Sequence, residues 1–262
     1  MTEQQLETAC KTLWQHWQEG RRLRGLPEEI RPSTRAEGYA VQARLELLSA
    51  FPLYGWKIAA TSKAGQAHIG VDGPLAGRLL RERARESGDA VPFGSNHMRV
   101  AEAEFAFRMA TELTPRDQPY RTSEVLDAVA ALHPAIELPD SRYDDFTIAG
   151  APQLIADNAC AHYFVLGPAA PAEWRAADLV THSVTGRIAG KHERAGCGAN
   201  VLGDPREALT WLVNELSALN IPLGAGQIVT TGTCLSPLPI EPGDHVIADF
   251  GALGGVEARL GK

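Results

Sequence analysis

The chain has 262 residues, 44% of them hydrophobic, with 25 Gly and 17 Pro, enough to bury a sizeable core in one large domain or two small ones. A net charge of −7 and the lack of any Lys/Arg run argue against nucleic acid or an anionic membrane surface as partner. No apolar run approaches membrane-spanning length, and the polar start MTEQQLETACKTLW is unlike a signal peptide. The four cysteines, Cys10, Cys160, Cys197 and Cys234, are scattered without a CxxC. Zinc and a disulfide framework are therefore not expected, and free thiols fit a cytoplasmic location.

Residues 3–19 are predicted as an amphipathic helix, with Leu6, Cys10, Leu13, Trp14 and Trp17 on one stripe and Gly20 as its end. A second helix starts near Ser33 or Thr34 and runs through AEGYAVQARLELLSA. GWKIAA reads as a short strand, followed by the Gly-punctuated loop TSKAGQAHIGVDGPLAG with one helical turn. TSEVLDAVAALH reads as a helix capped by Thr122 or Ser123. The clearest helix is DPREALTWLVNELSALN, with Asp204 as N-cap, Pro205 at N1 and Glu207 completing a capping-box pattern. Toward the C-terminus AGQIVTTGT, DHVIADFG and GGVEARL are short strands separated by turn residues. Helices cluster early and strands late, which favours α+β over a doubly wound sheet.

The segment RVAEAEFAFRMA places Glu102 and Glu104 two residues apart among apolar neighbours. As a strand it points both carboxylates to one face, where they repel unless a positive charge lies between them. As a helix it sets them on nearly opposite sides, and its residues are good helix formers. Glu137, between Ile136 and Leu138 in HPAIELPD, adds a third carboxylate in an apolar run. An oxygen-only set of this kind suits Mg²⁺ or Mn²⁺ rather than zinc; exposed glutamates on half-buried strands are the other reading.

Six segments in order, AEGYAVQ, GWKIAATSKAGQAHIGVDGP, AEAEFAF, PAIELPDSR, IADNACAHYFVLG and GQIVTTGT…PGDHVIADFGALGGVEARL, cover nearly the whole chain. Together they resemble the 2-keto-4-pentenoate hydratase and 4-oxalocrotonate decarboxylase branch of the fumarylacetoacetate hydrolase superfamily. The resemblance implies a mixed, rolled β-sheet with a helical N-terminal segment. It implies a single catalytic domain over 1–262, with residues 1–50 helical and 51–262 forming the β-roll core and metal site. Glu102, Glu104 and Glu137 then bind Mg²⁺ or Mn²⁺, and the metal makes the paired charges tolerable. Lys57 matches the lysine beside that metal, a proton shuttle whose pKa falls near a dication; an ordinary strand lysine is the alternative.

The resemblance also assigns Thr231 to the substrate carboxylate, although a β-branched strand residue before a Gly turn explains it too. Thr61 and Ser62 are placed to meet the substrate, or to cap a helix. Asp157 and Asn158 match the family's DN pair, or form an Asx turn. His68 has no Glu three or four residues away, so the dyad of the hydrolase members is absent. The acidic residue expected after VD-x-P is replaced by Leu75, which leaves water activation and the substrate tail open. The implied activity is a metal-dependent lyase (hydratase) acting on 2-hydroxydienoate or 2-oxo acid substrates in aromatic catabolism. The rivals are a decarboxylase or C–C hydrolase on the same scaffold, and a non-catalytic metal-stabilised binding protein. A homo-oligomer is implied as well, with the Trp-bearing N-terminal helix a candidate for one buried face.

Overall fold

The computed structural model describes residues 1–262. The α-helices are α1 (Glu3–Glu19), α2 (Arg35–Ala43), α3 (Leu45–Leu48), α4 (Lys63–His68), α5 (Thr122–Asp127), α6 (Ala151–Ala156) and α7 (Pro205–Ala218). The strands are β1 (Leu53–Ala59), β2 (Leu75–Leu80), β3 (Ala84–Glu86), β4 (Ala90–Val91), β5 (Val100–Met109), β6 (Val129–Leu138), β7 (Tyr163–Leu166), β8 (Ser183–Ile188), β9 (His192–Cys197), β10 (Ile228–Thr233), β11 (Leu238–Pro239), β12 (His245–Asp249) and β13 (Gly255–Leu260). The larger sheet runs β2-β1-β10-β5-β6-β7-β3, with β11 added beside β5; the smaller runs β4-β13-β12-β8-β9. Both are mixed, since β1–β10, β3–β7 and β13–β4 pair in parallel and the rest antiparallel. The fold is thus the α+β, curled mixed-sheet architecture with a helical N-terminal segment.

Helix α1 begins at a capping box, in which Thr2 Oγ1 accepts from Gln5 N and the Gln5 side chain accepts from Thr2 N, and ends at left-handed Gly20. Its stripe of Leu6, Ala9, Cys10 and Leu13 packs with Leu26, Val41, Leu45 and Tyr143 in a small core of its own. Trp17 is buried under the Arg142 guanidinium, 4.6 Å from its ring centroid, and its Nε1 donates to His162 Nδ1 at 2.7 Å. The apolar stripe of α1, with Trp17, is thus covered within this chain. The large apolar side chains left exposed are Leu47, Phe51 and Ile148.

Two local expectations are corrected. Helix α5 stops at Asp127 with Arg121, not Thr122 or Ser123, at its N-cap, and residues from Val129 onward are strand. The tertiary partner overrides helix propensity there, because Val129 pairs with Met109 of β5. In α7, Asp204 caps through Arg206 N as its position predicts, but Glu207 accepts from Thr122 Oγ1 and does not close a capping box.

Registered partners across the larger sheet share a face, and this sorts its residues cleanly. Trp56, Ile58, Val229, Phe105, Phe107, Ile136 and Val165 join the main core beneath α7. Each fully buried ring or branched aliphatic of this kind contributes about 1.5–3 kcal/mol. On the opposite face, Leu79, Ala106, Ala135, Phe164, Leu166 and Ile228 form a compact apolar layer. Gly77, Lys57, Thr230, Glu104, Glu102 and Glu137 continue that same face. The polar site therefore lies beside an apolar layer on one face of the sheet.

Candidate active site

Strand β5 directs Glu102 and Glu104 to one side, and the β5–β6 register sets Glu137 directly opposite Glu102. One carboxylate oxygen from each of the three lies within 4.8 Å of the others. Glu104 Oε2 accepts from Thr230 Oγ1 at 2.5 Å and from Gly232 N at 2.8 Å. Gly232 has φ +100°, and a Cβ there would come 2.1 Å from Thr61 Oγ1, so only glycine brings this N–H to Glu104. Glu104 Oε1 and Glu137 Oε2 are buried without a hydrogen-bond partner. Buried carboxylate oxygens normally have partners, so these orphans fit a hard cation bound by oxygen donors.

Lys57 projects from β1 into the group and is 3% exposed. Its Nζ is 3.0 Å from Glu137 Oε1, though off the direction of a hydrogen bond to it, and donates to Ala159 O at 3.0 Å. Burial pushes the Lys57 ammonium down, but the charges of Glu137, Glu102 and Glu104 outweigh it and hold the group above its ordinary value. Burial, reinforced by Glu137, pushes Glu102 up to about 7. Burial likewise raises Glu104, with Glu137 and Glu102 adding to it, and raises Glu137 against the opposing charge of Lys57. A dication among these carboxylates would neutralise the repulsion and cancel the pull on Lys57.

Lys57 and Glu102 open onto a cavity of about 990 Å³. Thr61, Ser62, Asn200 and Thr233 bring hydroxyl and amide groups to its wall, and Leu75, Met98, Val100, Phe146 and Leu154 bring apolar ones. Ser62 lines the cavity and also caps α4, accepting from Gly65 N at 3.0 Å. Leu75 is 1% exposed on the cavity wall, whereas Asp72 is 91% exposed and stands beside Arg35. His68 lines the cavity edge and meets Phe146 edge-on.

Two expected substrate contacts fall elsewhere. Thr231 turns its hydroxyl to Phe105 O at 3.0 Å and is off the cavity wall. Its neighbour Thr230 shares the face of Glu104, since β10 alternates and Thr230 pairs with Lys57. Asp157 is 1% exposed and its carboxylate is taken by Arg142 and by Ser141 Oγ at 2.7 Å. Burial raises its pKa against the opposing charge of Arg142. The sequence offered no signal for Thr230 over Thr231, because the choice depends on which β10 residues lie on the glutamates' side of the sheet.

The fumarylacetoacetate (FAA) hydrolase C-terminal family profile matches residues 81–260, more than half of the chain. The chain belongs to the fumarylacetoacetate hydrolase family. It is 30% identical to the 2-keto-4-pentenoate hydratase of Paraburkholderia xenovorans (strain LB400), over 99% of this chain and 96% of the relative. It is 31% identical to the 2-oxo-hept-4-ene-1,7-dioate hydratase of Escherichia coli, over 91% of each. Among solved structures, the 4-oxalocrotonate decarboxylase from Pseudomonas putida G7, complexed with magnesium and adipate, superposes with a TM-score of 0.89. Its identity is 26%, covering 99% of this chain and 98% of that one. The complex of the same decarboxylase with calcium and acetate gives 0.88.

Proposed function

We propose that this family member is a Mg²⁺- or Mn²⁺-dependent hydratase that converts 2-hydroxy-2,4-dienoates to 4-hydroxy-2-oxo acids. The observation that carries the reading is the convergence of three carboxylates, two of them with orphaned buried oxygens, on Lys57 at the edge of an open cavity. Full-length relatives named as hydratases support the reaction type. Glu102, Glu104 and Glu137 would hold the ion, and when bound it supplies a fixed positive charge that stabilises the enolate form of a 2-oxo acid.

The chain's own groups do the rest. Lys57 Nζ delivers a proton to C5 of the dienol while the 2-hydroxyl gives one up, leaving a conjugated 2-oxo-3-enoate. Water then adds across C3–C4, with hydroxyl to C4 and proton to C3. Ser62, Thr61 and Thr233 orient the polar head of the substrate from the cavity wall. Leu75, Met98 and Phe146 face the tail and exclude water, which favours an uncharged tail over a second carboxylate. The protein acts as one catalytic domain, in the cytoplasm and as a homo-oligomer, for which exposed Leu47, Phe51 and Ile148 are candidate contacts.

A second reading, decarboxylation of a 2-oxo acid through the same enolate, is favoured by one observation. Leu75 stands on the cavity wall at the position where the resemblance expects an acidic residue. Metal-loaded protein incubated with 2-hydroxydienoates, 2-oxo-enedioates and acylpyruvates, with products identified by mass, tests the assignment. Gain of one water supports hydration; loss of carbon dioxide or cleavage into two acids replaces it.

A further inference from the structure

Residues 158–160 hold a backbone that L-residues rarely adopt. Asn158, Ala159 and Cys160 lie consecutively at φ +55°, +49° and +60°. Each such residue costs on the order of 1–3 kcal/mol, so the run persists only where its surroundings over-determine it.

They do so from three sides. Asn158 Oδ1 accepts from Arg78 N at 2.6 Å and its Nδ2 donates to Arg78 O at 2.8 Å, so one side chain satisfies both backbone groups of a β2 residue. Buried Arg142 holds the flanks: its guanidinium pairs with Asp157 before the turn and donates to Ala161 O at 3.0 Å after it. Gly77, registered with Lys57 across β1–β2, supplies the room. A Cβ at Gly77 would lie 2.5 Å from Asn158 O and 3.0 Å from Lys57 Cγ and Cδ.

The outcome of this construction is one contact, Ala159 O accepting from Lys57 Nζ at 3.0 Å. A lysine ammonium has three donors on a flexible four-carbon stem. Ala159 O takes one, and the ion pair with Glu137 holds the nitrogen from a second side, at the edge of the cavity that Lys57 lines. Glu137 alone would leave the ammonium free to rotate about that single ion pair.

We propose that Asn158 is a positioning residue for Lys57: it locks the left-handed turn whose Ala159 carbonyl aims the ammonium at the substrate. The proposal rests on the reading of Lys57 as the proton-transfer group. The test uses the full-length, Mg²⁺-loaded protein and the dienoate that it turns over, with Asn158→Gly and Gly77→Ala each made alone and in a Lys57→Ala background. Asn158→Gly tolerates the positive φ but removes both bonds to Arg78. Gly77→Ala pushes on the Asn158 carbonyl and the Lys57 stem while leaving the two Asn158 side-chain bonds to Arg78 in place.

Each single variant is expected to lower kcat about 10- to 100-fold with KM within about two-fold, the scale for a misplaced catalytic group. Neither should lower kcat further once Lys57 is Ala, because the group they aim is gone. Losses that multiply with that of Lys57→Ala, or an unchanged kcat, overturn the proposal. An unchanged kcat in Lys57→Ala itself overturns the proton-transfer reading and the proposal with it. If neither Asn158→Gly nor Gly77→Ala is recovered folded, a crystal structure of the metal-loaded wild-type protein decides. Ala159 O beyond about 3.5 Å from Lys57 Nζ refutes the contact, and a hydrogen bond within that distance upholds it.

Discussion

Glu102 and Glu137 stand directly opposite each other across the β5–β6 ladder, two like charges in the position where cross-strand pairs interact most strongly. A bound dication turns this repulsion into attraction. Adding Mg²⁺ or Mn²⁺ at about 100 times its Kd is expected to stabilise the fold by roughly 2.7 kcal/mol, read as a rise in Tm. EDTA should remove both that rise and the activity. Glu104→Gln removes one buried charge at almost constant size, so the metal-free variant should melt no lower than wild type yet lose the metal-induced rise. A variant that keeps the full rise would place the ion elsewhere.

The pH dependence of metal binding follows from the same crowding. Glu102 titrates at about 7 in the folded chain against 4.5 as its ordinary value, pushed up by burial and then by Glu137. Between those values the native state holds more protons than the unfolded one, so metal-free stability should fall as pH rises from about 4.5 to about 7. Lys57 remains protonated through this window and does not offset the loss. Binding requires the carboxylates ionised, so apparent affinity should rise with pH through about 7, where Glu102 ionises, and the raised Glu104 and Glu137 add to the same dependence. Calorimetry at pH 6 in buffers of different ionisation enthalpy should register proton release; equal heats in all buffers would contradict the assignment.

Lys57→Ala is expected to lower kcat by about 10²- to 10⁴-fold, the range for one positioned proton-transfer group, while KM changes little. Steady-state rates on a small 2-hydroxydienoate check both parameters. An unchanged kcat would remove Lys57 from the chemistry.

Leu75→Asp places an acid on the cavity wall at the position where the resemblance expects one. If the chain is a hydratase, hydration of the pentadienoate should rise, and the preference for longer uncharged tails should weaken. No gain in Leu75→Asp alongside a large loss in Lys57→Ala would favour the decarboxylase reading.

Arg142 and Asp157 form a buried pair that also supports Trp17 and the turn at 158–160. Arg142→Met leaves an unpaired buried carboxylate and should cost about 3–5 kcal/mol in urea unfolding. The exposed Lys11–Glu7 pair on α1 is the control, and Lys11→Ala should leave the unfolding midpoint where it is. Equal effects from the two substitutions would refute a structural role for Asp157.

Local chemistry is what the sequence by itself determined. The caps at Thr34 and Asp204 and the Gly20 stop depend only on neighbours along the chain, whereas the strand that sets Glu102 and Glu104 on one face was chosen over a helix by pairing with β6. The α+β class follows from local periods. Everything that required a partner distant in sequence was decided by the tertiary structure. Val129 became strand because Met109 pairs with it, and Glu207 met Thr122 instead of its own N-cap. Thr231 turned to Phe105 O while Thr230 reached Glu104, and Asp157 went to Arg142 rather than the cavity. The physical reason is common to all of them. A side chain's direction is set by local backbone period, but the group that it meets is set by register between strands, which burial of the apolar faces selects over the whole sheet.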